Sequence, residues 1–173
     1  MTNAQDPYPL TLKLFEEHVE AATRVTTTLA GLTRKLAGHY PFQPEAIAHL
    51  SDEVDILIAA LFKKYEQLAV LLNDNILKHI PYLEMENMVK TTRYDTILFA
   101  EKVGVVKAAK GFVDAVALRN QLAHEYPLDP AKQAHLVNKV LVESEVMMQT
   151  MTALRAYVAQ RLPVWRAIRK DET

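Results

Sequence analysis

At 173 residues, half of them apolar and 24% charged, the chain has the make-up of one ordinary globular domain with enough length to bury a real core. A net charge of −1 excludes nucleic-acid binding through the whole surface, so any such contact must come from a local patch. The lack of cysteine removes disulfides, thiolate metal sites and a cysteine nucleophile, and it fits a reducing compartment.

Glycine is scarce, at four residues, and Leu, Ala, Lys, Glu and Val dominate, a balance that favours helix over strand. Met1 to Pro9 lacks a basic region followed by an apolar core, so no signal peptide is expected there. The most apolar run, Val54 to Leu72, is broken by Asp55, Lys63, Lys64 and Glu66, too often for a membrane span. The expectation is a cytoplasmic protein with no membrane contact.

In chain order, residues 10–37 carry Leu12, Phe15, Val19, Ala22, Thr26, Leu29, Thr33 and Leu36 at steps of three and four, an amphipathic helix that Gly38 stops. The stretch from His39 to Pro44 contains two prolines and reads as a loop free to wander from the bundle. Residues 45–79 follow as a short helical piece and then, after the cap Ser51-Asp52-Glu53, a long helix. Its face is Val54, Leu57, Leu61, Tyr65, Leu68, Leu72 and Ile76, widened by Ile58, Ala69 and Ile80, which makes it the most buried helix; Pro81 closes it. Pro81 to Thr91 has no clean period. Thr92 and Asp95 form a capping box for a helix over 92–103, with Gly104 as its stop. A helix over 106–125 has the stripe Ala109, Phe112, Val113 and Val116, which the same steps continue through Arg119, Asn120 and Ala123. Polar groups thus take over the inward side of its last turns. After Asp129 and Pro130, residues 131–162 form the last helix, with Val137, Leu141, Ser144, Met148, Met151, Leu154 and Val158 inward. Pro163 ends it, and 163–173 is a partly basic tail. The whole reads as one domain, residues 1–173, an all-α antiparallel up-and-down four-helix bundle with an additional short helix.

The stretch with chemical content is Arg119-Asn120-Gln121-Leu122-Ala123-His124-Glu125-Tyr126-Pro127. Pro127 disfavours helix at Tyr126, so His124 belongs to the last turn, where the helix dipole favours its protonated form. Asn120 lies four residues before His124 on the same face and can orient the ring. Arg119, five residues away, sits about 140° around a regular helix, so the two converge on one ligand only if the end loosens or a second subunit contributes. Arginine is the natural fork for a phosphodiester, and with histidine as proton carrier the pair suits metal-free RNA cleavage. The plain structural alternative pairs Arg119 with an acid on a neighbouring helix, makes His124 a carboxy-terminal cap and leaves Tyr126 at the core rim. His18, His39, His49, His79 and His135 show no ligand spacing, Met147, Met148 and Met151 read as core, and Trp165 with Arg166, Arg169 and Lys170 reads as a frayed tail or an RNA or partner contact. Arg93 and Asp95 are further cleft candidates, and the basic excess across 90–119 is modest.

Arg119-Asn120-x-x-x-His124-x-Tyr126 resembles the Arg-x4-His-x-Tyr signature of the HEPN superfamily, specifically its HepT-like toxins. The similarity runs from about Thr92 to Leu162, including Gly104-Val105-Val106 and Leu128-Asp129; the amino-terminal half shares only a helical pattern. The resemblance implies a HEPN-like homodimer whose paired motifs form a metal-independent ribonuclease without a cofactor, with Arg119 and His124 catalytic and Asn120 and Tyr126 lining the cleft. It also implies an MNT-type nucleotidyltransferase antitoxin able to transfer AMP onto Tyr126. The alternative is a non-enzymatic helical module that binds a nucleotidyltransferase or a nucleotide at the same residues.

Overall fold

In a computed structural model of the chain the described residues are 8–86, 92–124 and 129–168, with the side chains of Ala123 and His124 left aside. They are helical, with no strand among them. In order come α1 (Tyr8–Leu36), α2 (Pro44–Ala48), α3 (Asp52–Val70), a π-helical turn (Leu71–Ile76), a 3-10 turn (Leu77–His79), α4 (Ile80–Leu83), α5 (Arg93–Lys102), α6 (Ala109–His124) and α7 (Pro130–Ile168). The bundle is made by α1, α3, α6 and α7: α1 packs on α3 and α7, and α6 packs on the same two. The start of α1 meets the end of α7, through Phe15 on Trp165 and Glu16 with Arg166. The loop after α1 meets the start of α7, so these two helices run antiparallel.

Local signals account for most of the boundaries. Ser51 accepts from the Val54 amide at the start of α3. Thr92 and Asp95 form the expected reciprocal box, with Thr92 N donating to Asp95 Oδ2 at 2.8 Å and Asp95 N to Thr92 Oγ1 at 3.2 Å. Gly104, at φ 80°, takes the left-handed turn that releases the chain from α5. Of the expected face of α3 and the turn after it, Leu61, Tyr65, Leu68, Leu72 and Ile76 are closed to solvent, as is Ile58, whereas Val54 and Leu57 near the start are only half-buried. Tyr65 donates its hydroxyl to the Ala115 carbonyl at 2.6 Å, which locks α3 to α6, and burial pushes its phenol pKa up.

Four expectations change. The loop between α1 and α2 does not wander: Phe42 is buried, and its N–H and C=O are both paired with the side chain of Asn138 on α7, at 2.8 and 2.9 Å. Regular α geometry stops at Val70 rather than near His79, because a π turn inserts there, and Pro81 opens α4 instead of closing a helix. A proline in a first turn loses no hydrogen bond, since that N–H has no intrahelical partner. The buried line of α6 runs Phe112, Ala115 and Leu118, with Val113 and Val116 only half-buried, so the stripe is turned away from the one that leads to Asn120.

The fourth change is the largest. Pro163 does not end α7; the helix continues to Ile168 and buries Trp165 completely. Trp165 sits edge-on to Phe15 and Tyr157 and donates its indole N–H to Glu84 at 3.1 Å. The same carboxylate receives the Tyr157 hydroxyl at 2.5 Å and both arms of Arg161, a four-donor clasp joining the turn after α4 to the end of α7. Pro163 is exposed, so its ring points to solvent while the residue two positions on holds the helix in place.

The clasp predicts a pH dependence. Burial pushes the Glu84 carboxyl up, but the hydrogen bonds from Arg161 and Tyr157 outweigh it and hold the group below its ordinary 4.5. A depressed carboxyl stabilises the fold above that value, and the contribution disappears as pH falls through the folded-state value. His79 moves the same way: burial, then Lys78 and His18, lower it from 6.5, so protonation opposes folding. Thermal unfolding should therefore show a melting temperature that declines as pH falls below about 6.5 and more steeply below about 4.5. Glu84→Gln should flatten the lower limb and His79→Gln the upper; unchanged slopes in both variants would refute these assignments.

Candidate functional site

The carboxy-terminal half of α6 places Arg119 and Asn120 one and a half turns before His124, where the described part of the helix ends. Arg119 is half-buried and Asn120 exposed, and the guanidinium donates to the Asn120 side-chain oxygen at 3.1 Å. Tyr126 and Glu125 lie outside the described residues, as does the side chain of His124. Asn120 thus accepts a hydrogen bond from Arg119, while its expected contact with the His124 ring lies outside the described side chains.

The direction of Arg119 is informative. Long side chains on a helix lean back toward its amino terminus, away from the end where His124 stands. Arg119 lines a groove of about 480 Å³ against α3, together with the polar residues Lys63, Glu66 and Gln67. Val25 of α1, with Val70 and Leu71 at the junction of α3 and the π turn, supplies the apolar lining. Arg119 makes no ion pair with an acid among the described residues. The nearest candidate for a partner acid on a neighbouring helix, Glu66 of α3, lines the same groove but pairs with Lys63 at 3.7 Å. Five residues apart on α6, Arg119 and the backbone of His124 stand about 140° apart around a regular helix, and Arg119 lies at the groove against α3.

The rest of the basic stretch is mostly paired. Arg93 contacts Asp74 at 3.2 Å, Lys102 contacts Glu86 at 3.7 Å and Lys110 contacts Asp114 at 2.6 Å. Asp95 is occupied by its capping box with Thr92, which holds its carboxyl below the usual range. Trp165 is core and therefore no RNA contact, and Arg166 is paired with Glu16. Met147 and Met151 are buried, as read, with Met148 half-buried beside them.

Two features had no signal that the sequence pattern could carry. The groove against α3 is a product of tertiary packing: Lys63, Glu66, Gln67 and Val70 are ordinary solvent-flank residues of an amphipathic helix until α6 lies across them. The π turn inserts one residue into a helical run without a proline or glycine to mark it. Among the described residues no group of three or more His, Asp or Glu side chains is arranged to hold a metal ion, and no helix is long and apolar enough to cross a membrane. Comparison with family models, curated proteins and solved structures finds no match to this chain.

Proposed function

We propose that this protein is a metal-independent ribonuclease of the HepT-like HEPN type, a toxin acting as a cytoplasmic homodimer and held in check by an MNT-type nucleotidyltransferase. The observation that carries the reading is Arg119. It is a half-buried guanidinium on the helix that ends at His124, without an acidic partner among the described residues and steadied by Asn120. Such a guanidinium, open to a groove, is suited to an exchangeable anion such as a phosphodiester. His124 takes the proton of the RNA 2′-hydroxyl as its oxygen attacks phosphorus. The bond to the 5′-oxygen breaks, and that oxygen takes a proton from the histidine of a second copy, while Arg119 stabilises the charge on the phosphorane. A second copy resolves the 140° offset, because each cleft then holds the arginine and histidine of both chains.

The second reading, a non-cleaving module that binds a nucleotide or a nucleotidyltransferase, is favoured by one observation: Arg119 lines the groove on α3 together with Lys63 and Gln67. Cleavage assays separate the two. Purified wild-type dimer, free of its partner, should cut single-stranded RNA without added metal, and His124→Ala should lose that activity while keeping its helicity and dimeric mass. A wild-type dimer that leaves RNA intact would hand the site to the binding module. Incubation with the nucleotidyltransferase and ATP should add mass in steps of one AMP, and Tyr126→Phe should prevent it; addition that survives the substitution removes Tyr126 from this role.

A further inference from the structure

We propose that the groove between α1, α3 and α6 is a nucleotide subsite, holding one phosphate on Arg119 and the adjoining base on the apolar floor made by Val25, Val70 and Leu71. The inference rests on the reading of Arg119 as a phosphate-binding residue and extends it to residues that no motif marks. Three features of the groove point to this ligand class. At about 480 Å³ it falls in the range of roughly 300–1,000 Å³ typical of small-molecule sites. Its lining combines charged and polar groups, Lys63, Glu66, Gln67 and Arg119, with the aliphatic Val25, Val70 and Leu71, the mixture that suits a ligand with an anionic end and a flat apolar face. Lys63, largely exposed and joined to Glu66 only at 3.7 Å, keeps its charge open to add to the attraction of Arg119 for the same phosphate.

The polar wall also has a direction. Lys64 donates to Gln67 Oε1 at 2.9 Å, which fixes that amide with its nitrogen as the end left for a ligand. Glu66 beside it supplies an acceptor. A donor and an acceptor from successive residues match the edge of a nucleobase, which presents both, whereas a bare phosphate would meet Glu66 as a repulsive neighbour. An acidic peptide would meet the same repulsion and would leave the aliphatic floor unused.

Calorimetric or NMR titration of the full chain with AMP, CMP, inorganic phosphate and a hexaglutamate peptide tests the proposal. The nucleoside monophosphates should bind at least about tenfold more tightly than inorganic phosphate, since only they cover the floor. Val70→Ser should weaken the nucleotides and leave phosphate unchanged; Lys63→Glu, on the surface and harmless to the fold, should weaken both. Phosphate binding as well as AMP and CMP, nucleotide affinity unmoved by Lys63→Glu, or hexaglutamate binding more tightly than the nucleotides would each overturn it. RNA cleavage by the same preparations keeps the two claims apart. Cleavage that depends on His124, with no nucleotide bound in the groove, removes the subsite and leaves the ribonuclease. Nucleotide binding without cleavage does the reverse.

Discussion

Trp165→Ala should lower the stability of the fold by about 3–5 kcal/mol, the cost of emptying a fully buried aromatic site. For a chain of this size that corresponds to roughly 10 °C in melting temperature. The indole fills the space between Phe15 and Tyr157 and donates to Glu84, so its removal opens a cavity and takes one donor from a partly buried carboxylate. A frayed tail at residue 165 would predict a change of less than about 0.5 kcal/mol. Urea unfolding therefore discriminates sharply between a carboxy-terminal segment that is core and one that is appendage. Pro163→Ala supplies the complementary variant. The proline forfeits the bond to residue 159 and crowds the preceding turn, so alanine there should raise stability, and a loss on that substitution would contradict a continuous helix through Ile168.

The second large effect concerns activity. Under the ribonuclease reading, Arg119→Ala should reduce the rate of RNA cleavage by about a hundredfold to a thousandfold, as expected when one donor to a developing oxyanion is removed. Arg119→Lys should recover only a minority of that loss, because an ammonium keeps the charge but not the planar fork. Neither substitution should move the melting temperature appreciably. Arg119 is half-buried, and its hydrogen bond among the described residues is to its neighbour Asn120, so truncation breaks no tertiary link. Single-turnover kinetics on a labelled RNA, read together with thermal unfolding, measure both halves. A large fall in stability, or cleavage unaffected in Arg119→Ala, would sink the assignment of this arginine as phosphate-binding.

The all-helical bundle was legible in the sequence because helix termini carry chemical marks. Ser51, Thr92 with Asp95, and Gly104 each act at the position where their side chain or backbone freedom implies. Misreadings cluster where a local rule is overridden from a distance. Pro163 is a helix breaker by its own geometry, but the burial of Trp165 and the Glu84 clasp hold the helix past it. The loop around Phe42 has the composition of a free segment, and a single side chain 96 residues away, Asn138, fixes it. The buried stripe of α6 lies a fraction of a turn from the one its residue types suggest, since Ala115 carries too little apolar surface to announce itself against Val113 and Val116. That small rotation matters most for the candidate site. It leaves Asn120 in solvent and brings Arg119 to the flank of α3, so the residue types of the motif were readable while the wall opposite Arg119 was not.

The Glu84 clasp has a consequence for how the chain reaches its fold during synthesis. Its donors lie 73, 77 and 81 residues downstream of the carboxylate they satisfy. While the ribosome is still building α7, Glu84 must stay hydrated, and the pocket beside Phe15 that Trp165 later fills is open. Helices α1 and α3 can pair early, but that end of the bundle closes only after residues 157–165 have left the exit tunnel. Translation that stalls before that point yields a chain with most of its helices and an unsealed base, the form most exposed to proteases and chaperones.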